Sequence, residues 1–168
     1  MNVRDARTEF IETWGALATQ WGISRSMAQI HAVLLVSPEA MTTDEIMEAL
    51  EMSRGGVSTN VRELIDWGIV QRITKKGERR ELFEAEKDIW VVARKIMQER
   101  KRRELDPVAA RLRGLASASI TGPAKDVEAF RSAVKDLSTL TKTASDALDT
   151  MSKAETAWLV NLAMKVIR

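Results

Sequence analysis

The chain has 168 residues, 45% of them hydrophobic and 30% charged, which suffices for one domain or for a small domain with a helical extension. It has no cysteine and one histidine, His31, which excludes disulfides, cysteine-bound metals and thiol nucleophiles. No apolar run reaches the roughly 18 residues that span a bilayer, and the first residues lack the apolar core of a signal peptide. We therefore expect a cytoplasmic protein that needs no cofactor or metal and is not an enzyme.

The charge is spread unevenly along the chain, although the net charge is only +2. Residues 1–53 carry three Lys and Arg against eight Asp and Glu, whereas residues 54–103 carry fourteen against eight. Residues 104–168 are close to balanced, with nine against eight. A basic middle segment predicts a positive face on part of the fold, and a polyanion is its natural partner.

Two long helices are predicted at the start of the chain, because only three prolines and eight glycines interrupt it. The first helix ends at Gly22, and its apolar residues recur at helical spacing. This stripe consists of Val3, Phe10, Trp14, Leu17 and Trp21. The second helix begins after Ser24, is apolar on more than one face and stops at residues 37–38, so we expect it to be buried on several sides.

Two shorter helices follow, separated by a brief break at residues 51–52. Thr42 and Glu45 form a capping box at the start of the third helix. Ser53 is a good N-cap for the fourth helix, which runs to Trp67 and stops at Gly68.

The periodicity then becomes strand-like. Residues 69–74 and 81–85 predict a β-hairpin with a charged turn. From Asp88 the chain is helical again, with a break or new start at residues 106–107, a loop at 117–123 and a heptad pattern from 127 to 151. The fold class is therefore mainly α with a small β-hairpin, and three helices followed by a hairpin predict a winged helix-turn-helix.

The fourth helix has an outer face that differs from an ordinary solvated face. Opposite its apolar side lie Gly55, Ser58, Thr59 and Arg62. Two glycines in the first turn each cost about 1 kcal/mol relative to alanine, which indicates a backbone that approaches a partner closely. Hydroxyl groups, an arginine and free N–H groups suit phosphates and base edges in a major groove. The alternative is a tight turn at residues 55–56 followed by a solvated face.

The tip of the hairpin is strongly cationic, with Lys75, Lys76, Arg79 and Arg80. In a winged helix this tip reaches the minor groove or the flanking backbone, where cations displace counterions. A solvated charged turn is the alternative, but the position directly after the fourth helix favours DNA contact. A second basic run at residues 100–103 could contact phosphates, but a solvated face at the negative end of a helix is the favoured interpretation.

The five tryptophans allow two interpretations. They could form an aromatic cage for a quaternary ammonium ligand, but their helical spacing favours packing in the core or between subunits. We expect His31 to be buried or at a boundary and hydrogen-bonded locally, since the sequence offers no metal-binding partners for it. The sequence has no Walker loop, G-x-S-x-G or G-x-G-x-x-G motif, so no catalytic residue is predicted.

Six short segments stand in an order and spacing typical of one family. They are WGISRS at 21–26, TDEI at 43–46, MSRGGVSTNVREL at 52–64, WGIV at 67–70, KGERR at 76–80 and EAE at 84–86. Together they resemble the GbsR-like branch of the MarR-type winged-helix transcriptional regulators.

That resemblance implies a homodimer whose recognition helices enter successive major grooves of a pseudo-palindromic operator. The residues that it places in the recognition helix are Ser53, Arg54, Gly55, Ser58, Thr59, Asn60 and Arg62. It places Lys75, Lys76, Arg79 and Arg80 in the wing. Some members of this branch look like sensors of choline-like ligands, but beyond Arg100 this chain matches the family only in being helical.

The sequence therefore predicts a DNA-binding domain at residues 22–86 and a helical dimerisation region at 1–21 and 87–168. We expect a sequence-specific regulator, acting as a repressor, that binds double-stranded DNA as a homodimer. The predicted dimer contacts are Phe10, Trp14, Leu17, Trp158 and Leu162. Two alternatives stay open, namely a winged-helix protein-interaction module and a ligand-gated regulator that senses a choline- or betaine-like osmolyte.

Overall fold

A computed structural model describes residues 1–74 and 80–153. The chain divides into two compact units, the first being Met1–Val92 and the second beginning at Ala93. Within the described residues the fold is mainly helical with a small antiparallel sheet, which confirms the predicted fold class. The assignment of residues 22–86 to DNA binding and of 1–21 and 87–168 to dimerisation stays a prediction.

Helix α1 (Val3–Gln20) is buried through its small residues. A Cβ on Gly15 would lie 3.0 Å from Cγ of Gln29 and 3.3 Å from Cγ of Arg25, so the next helix approaches this backbone closely. Ala18 is also buried, whereas Trp21 is 55% exposed. The predicted apolar stripe therefore stays partly exposed in a single chain.

Helix α2 (Arg25–Val36) is the centre of the first unit. Ser24 caps it by accepting a hydrogen bond from the N–H of Met27, as predicted. Seven of its twelve residues are buried, which confirms the expected burial on several sides. Ile30 is completely enclosed and Leu34 is nearly so.

Helices α3 (Thr43–Leu50) and α4 (Arg54–Asp66) form the helix-turn-helix. The predicted capping box is present, because Thr42 Oγ1 accepts from the N–H of Glu45 while the Glu45 carboxylate accepts from the N–H of Thr42 at 2.7 Å. Between the helices, Glu51 adopts the left-handed region with φ of 52°.

The sheet has the order β1–β3–β2. Strands β2 (Val70–Ile73) and β3 (Leu82–Ala85) form the predicted hairpin, with Val70 opposite Ala85. Strand β1 (Met41–Thr42) adds a third antiparallel strand on the other side of β3, which the sequence did not predict. Its two residues are too few to show an alternating pattern.

The second unit contains most of the remaining helices. Helix α5 (Ile89–Arg100) begins in the first unit and leads into a π-helical segment, Lys101–Leu105. Helix α6 (Asp106–Ser117) starts with a proline in its first turn, so the predicted break is a new helix start. Helix α7 (Ala124–Lys153) contains the heptad pattern, of which only Val134 and Thr141 are buried.

Candidate nucleic-acid interface

The two sides of α4 are divided as the sequence predicted. Its inner residues Val57, Val61 and Leu64 are at most 3% exposed. All four members of the predicted outer face are exposed: Gly55, Ser58, Thr59 and Arg62. The unit therefore presents small and hydroxyl-bearing side chains and an arginine to the outside, along at least two turns of one helix.

The two glycines in the first turn of α4 have different environments. Both lie within the α-helix, so the alternative of a tight turn at this point does not hold. A Cβ on Gly56 would lie 3.3 Å from Oγ of Ser53, the residue whose hydroxyl caps the helix by accepting from the N–H of Gly56. A Cβ on Gly55 would meet no described atom within 4 Å. Packing against the described residues therefore explains why a glycine stands at position 56, but it does not explain the glycine at position 55.

Three polar residues predicted for the recognition helix already have partners in the first unit. Arg54 forms an exposed ion pair with Asp44 of α3. Asn60 is half-buried and donates from Nδ2 to the carbonyl of Gly56 at 2.8 Å, so its amide stabilises the helix. Arg62 lies 3.5 Å from the hydroxyl of Ser58. No periodic pattern indicates the Arg54–Asp44 pair, because its members lie on different helices.

The hairpin brings a cation towards the helix-turn-helix. Arg80 is exposed, and Arg72 pairs with Glu81 at 2.9 Å across the hairpin. The pKa of the Glu45 carboxyl is lowered, first by hydrogen bonds from Thr42 and further by the charge of Arg80. The charge of Arg80 therefore acts on the first turn of α3. Three predicted wing residues, Lys75, Lys76 and Arg79, lie outside the described residues.

The basic run at residues 100–103 is engaged in ion pairs. Arg100 binds Glu104 at 3.1 Å, and Lys101 reaches both Asp106 and Asp149. Arg102 and Arg103 pair with Glu99, which is 8% exposed. A hydrogen bond from Arg102 is the main cause of the lowered pKa of Glu99, and it outweighs the opposing effect of burial.

His31 is buried, at 2% exposure. Its Nε2 has no hydrogen-bond partner among the residues that the structure describes, so the expected local hydrogen bond is missing at that atom. The pKa of His31 is lowered from 6.5 to about 4, mainly by burial and also by the charge of Lys87. The ring centroid of Trp14 lies 6.1 Å from that of His31 and 6.0 Å from that of Phe10, an arrangement typical of side chains packed against each other.

The described part of the chain contains no group of three or more His, Asp or Glu residues arranged to hold a metal ion. None of its helices combines the length and the apolar character that crossing a bilayer requires.

The predicted dimer contacts Trp158 and Leu162 lie outside the described residues. Phe10 and Trp14 are half-buried and Leu17 is 39% exposed.

Three helices, the last of them the outward-facing α4, and a hairpin paired with a short third strand define a winged helix-turn-helix domain. A family model described as MarR family matches residues 21–81, so the chain is similar to that family over this segment. The resemblance inferred from the six short segments is thereby confirmed.

Several characterised proteins are similar to this domain. The HTH-type transcriptional regulator MmpR5 of Mycobacterium tuberculosis is 37% identical over 76 residues, which are 45% of this chain and 46% of that protein. The HTH-type transcriptional repressor GbsR of Bacillus subtilis is 33% identical over 88 residues, or 52% of this chain and 48% of GbsR. The chain thus spans about half the length of the curated relatives that it matches.

A solved structure described as that of a transcriptional regulator is similar over a longer range. It has a TM-score of 0.60 and 28% sequence identity, and the match covers 89% of this chain and 99% of the other. The names of these relatives are those of transcriptional regulators, which supports the prediction of a non-enzymatic, DNA-binding protein.

Proposed function

We propose that this protein is a sequence-specific DNA-binding transcriptional regulator that acts as a repressor in the cytoplasm. The observation that carries the proposal is the outer face of α4, which is exposed along its length within a segment similar to the MarR family. Two of the similar proteins, GbsR and OpcR of Bacillus subtilis, are named repressors, which supports the direction of regulation.

In this proposal α4 enters the major groove with its outer face towards the bases. Ser58 and Thr59 are short and exposed, so they would contact base edges, while Arg62 would contact a guanine edge or a phosphate. Gly55 would let the backbone approach the duplex, since a Cβ there meets no described atom within 4 Å. Ser53 and Asn60 would shape the helix through their hydrogen bonds, and Arg54 would face a phosphate.

The hairpin would contact the flanking backbone or minor groove through Lys75, Lys76, Arg79 and Arg80. Support comes from Arg80, whose charge acts on Glu45 of α3, the helix that precedes α4. The base of the hairpin thus carries a positive charge that acts on the first turn of α3.

We further propose that two copies bind a pseudo-palindromic operator. Apolar side chains that a single chain leaves exposed support this, among them Leu17 and Trp21 of the first unit and Leu137 and Leu140 of α7. A two-fold symmetric dimer would then read half-sites about one helical turn, roughly 34–36 Å, apart.

The proposal is tested by asking which fragments of its own genome the purified protein retains, starting with the DNA beside its gene. We expect a few fragments that share an inverted repeat, with binding that weakens as salt is raised. Retention of no fragment, or binding to duplex that does not respond to salt, would favour a winged-helix module that binds another protein.

The ligand-gated alternative is separated by tryptophan fluorescence in the presence of choline or betaine. A saturable change together with weaker operator binding would support an osmolyte-sensing regulator. No change at millimolar ligand would leave a regulator that responds to another signal or to none.

A further inference from the structure

Asp44 and Arg54 form an ion pair that joins the two helices of the helix-turn-helix. Asp44 is the second residue of α3 and Arg54 is the first residue of α4. Both side chains are largely exposed, at 53% and 66% respectively. The pair therefore lies at the surface, beside the first turn of the helix whose outer face is proposed to contact DNA.

The N-terminus of α3 does not need Asp44 for its cap. The orphan N–H groups there are served by the capping box of Thr42 and Glu45. A carboxylate in the first turn of a helix gains only modestly from the helix dipole. The distinctive contact of Asp44 is therefore with Arg54, and that contact joins the acidic end of α3 to the cationic start of α4.

We propose that Asp44 restrains DNA binding by competing with a phosphate for Arg54. This inference rests on the proposed function. A phosphate that approaches the first turn of α4 must displace or share the carboxylate, and the carboxylate itself repels a phosphate. A fixed negative charge beside the contact surface thus lowers the affinity for any duplex, whatever its sequence.

A second acid at the same end of α3 is influenced by a cation of the hairpin. Glu45, adjacent to Asp44, lies within the field of Arg80 at the base of the hairpin. Acids in the first turn of α3 therefore interact with a cation of α4, through the Asp44–Arg54 pair, and with the charge of a cation of the hairpin. Glu45 is committed to the capping box, so Asp44 is the member that can be changed without removing the cap.

The test compares Asp44→Asn with Glu48→Gln in the full chain. Glu48 is exposed on the same helix, so both variants remove one negative charge from α3. We measure binding to a random-sequence duplex at several salt concentrations. Asp44→Asn should bind roughly two- to five-fold more tightly, the range expected for an exposed ion pair, and should release about one more counterion. Glu48→Gln should change affinity less.

A double-mutant cycle then assigns the effect to Arg54. In the Arg54→Ala background the gain from Asp44→Asn should shrink towards that of Glu48→Gln, because the competition is gone. Equal effects of Asp44→Asn and Glu48→Gln, or weaker binding of Asp44→Asn, would overturn the restraint while leaving the proposed function intact. A wild-type protein that binds no duplex would overturn both. Thermal melts check that each variant is folded.

Discussion

Lys87 closes the C-terminal end of α2 by donating a hydrogen bond from Nζ to the carbonyl of Leu34 at 2.8 Å. The same ammonium donates to Leu35 O at 3.0 Å and to Ser37 O at 2.7 Å. The last carbonyls of a helix lack partners within it and carry partial negative charge, so a cation there stabilises the helix. Lys87 thus joins the exit of the hairpin to the most buried helix of the first unit.

Replacing Lys87 by methionine should lower the free energy of unfolding by about 1.5–3 kcal/mol, because carbonyls at the end of α2 lose a charged donor. Urea denaturation followed by circular dichroism measures the change. Lys125→Met at an exposed position of α7 is the matched control and should be close to neutral. A Lys87→Met protein as stable as that control would show that water replaces the ammonium at no cost.

The contacts of Lys87 and Asp44 show what the sequence could not reveal. The capping box of Thr42 and Glu45 and the N-caps were predictable because their partners lie three residues apart. Lys87 and its carbonyl acceptors are separated by 50 residues or more, and Asp44 and Arg54 by ten. Neither pairing leaves a periodic pattern, so only the tertiary structure shows them.

Burial was predictable where periodicity was strong and unpredictable where small residues decide the packing. The inner side of α4 follows from its helical spacing, and the structure buries Val57 and Leu64 as expected. Helix α1 instead packs against α2 through Gly15 and Ala18, while the large apolar residue Trp21 stays exposed. A prediction based on large apolar side chains selects the partly exposed stripe and misses the contact made by the small residues.

His31 should make the stability of the protein depend on pH. Its folded-state pKa of about 4 lies below its ordinary value of 6.5, so between these values the unfolded chain binds the proton and the folded chain does not. The free energy of unfolding should therefore be highest above about pH 6.5 and fall as the pH drops towards 4. The full loss is roughly 3 kcal/mol, from the size of that shift.

Urea titrations at several pH values measure this loss in the wild type and in His31→Leu. The leucine variant keeps an apolar side chain at the site but has no imidazole to protonate. We expect its stability to vary less over the same range, with the remaining slope due to carboxylates. Identical slopes for the two proteins would assign the acid sensitivity to other groups.

Glu51 occupies a backbone conformation that suits glycine. Its φ of 52° at the end of α3 costs an L-residue roughly 1–2 kcal/mol relative to glycine. Glu51→Gly should raise the melting temperature, whereas Glu51→Ala keeps a Cβ in the same strained region and should not. Calorimetry of both variants separates relief of backbone strain from removal of the charge. A rise in both would point to the charge.

Gly55 should trade stability against DNA affinity. Alanine at this helical position meets no described atom within 4 Å, so Gly55→Ala should stabilise the fold by about 0.5–1 kcal/mol. If the backbone of α4 approaches a duplex there, the added methyl group should weaken DNA binding at the same time. Opposite changes in melting temperature and affinity are the expected signature, and unchanged affinity would remove Gly55 from the contact surface.

Arg62 and Thr59 lie on the same outer face, but substituting them should change DNA binding in different ways. If Arg62 contacts a phosphate, Arg62→Ala should weaken binding to every sequence and lower the salt slope by about one unit. If Thr59 contacts a base edge, Thr59→Ala should leave that slope unchanged and alter the preferred base at one operator position. Salt titration and selection from randomised operators measure the two properties separately. Both residues are exposed on one helix. If this surface binds another protein instead of DNA, neither variant would show its expected pattern.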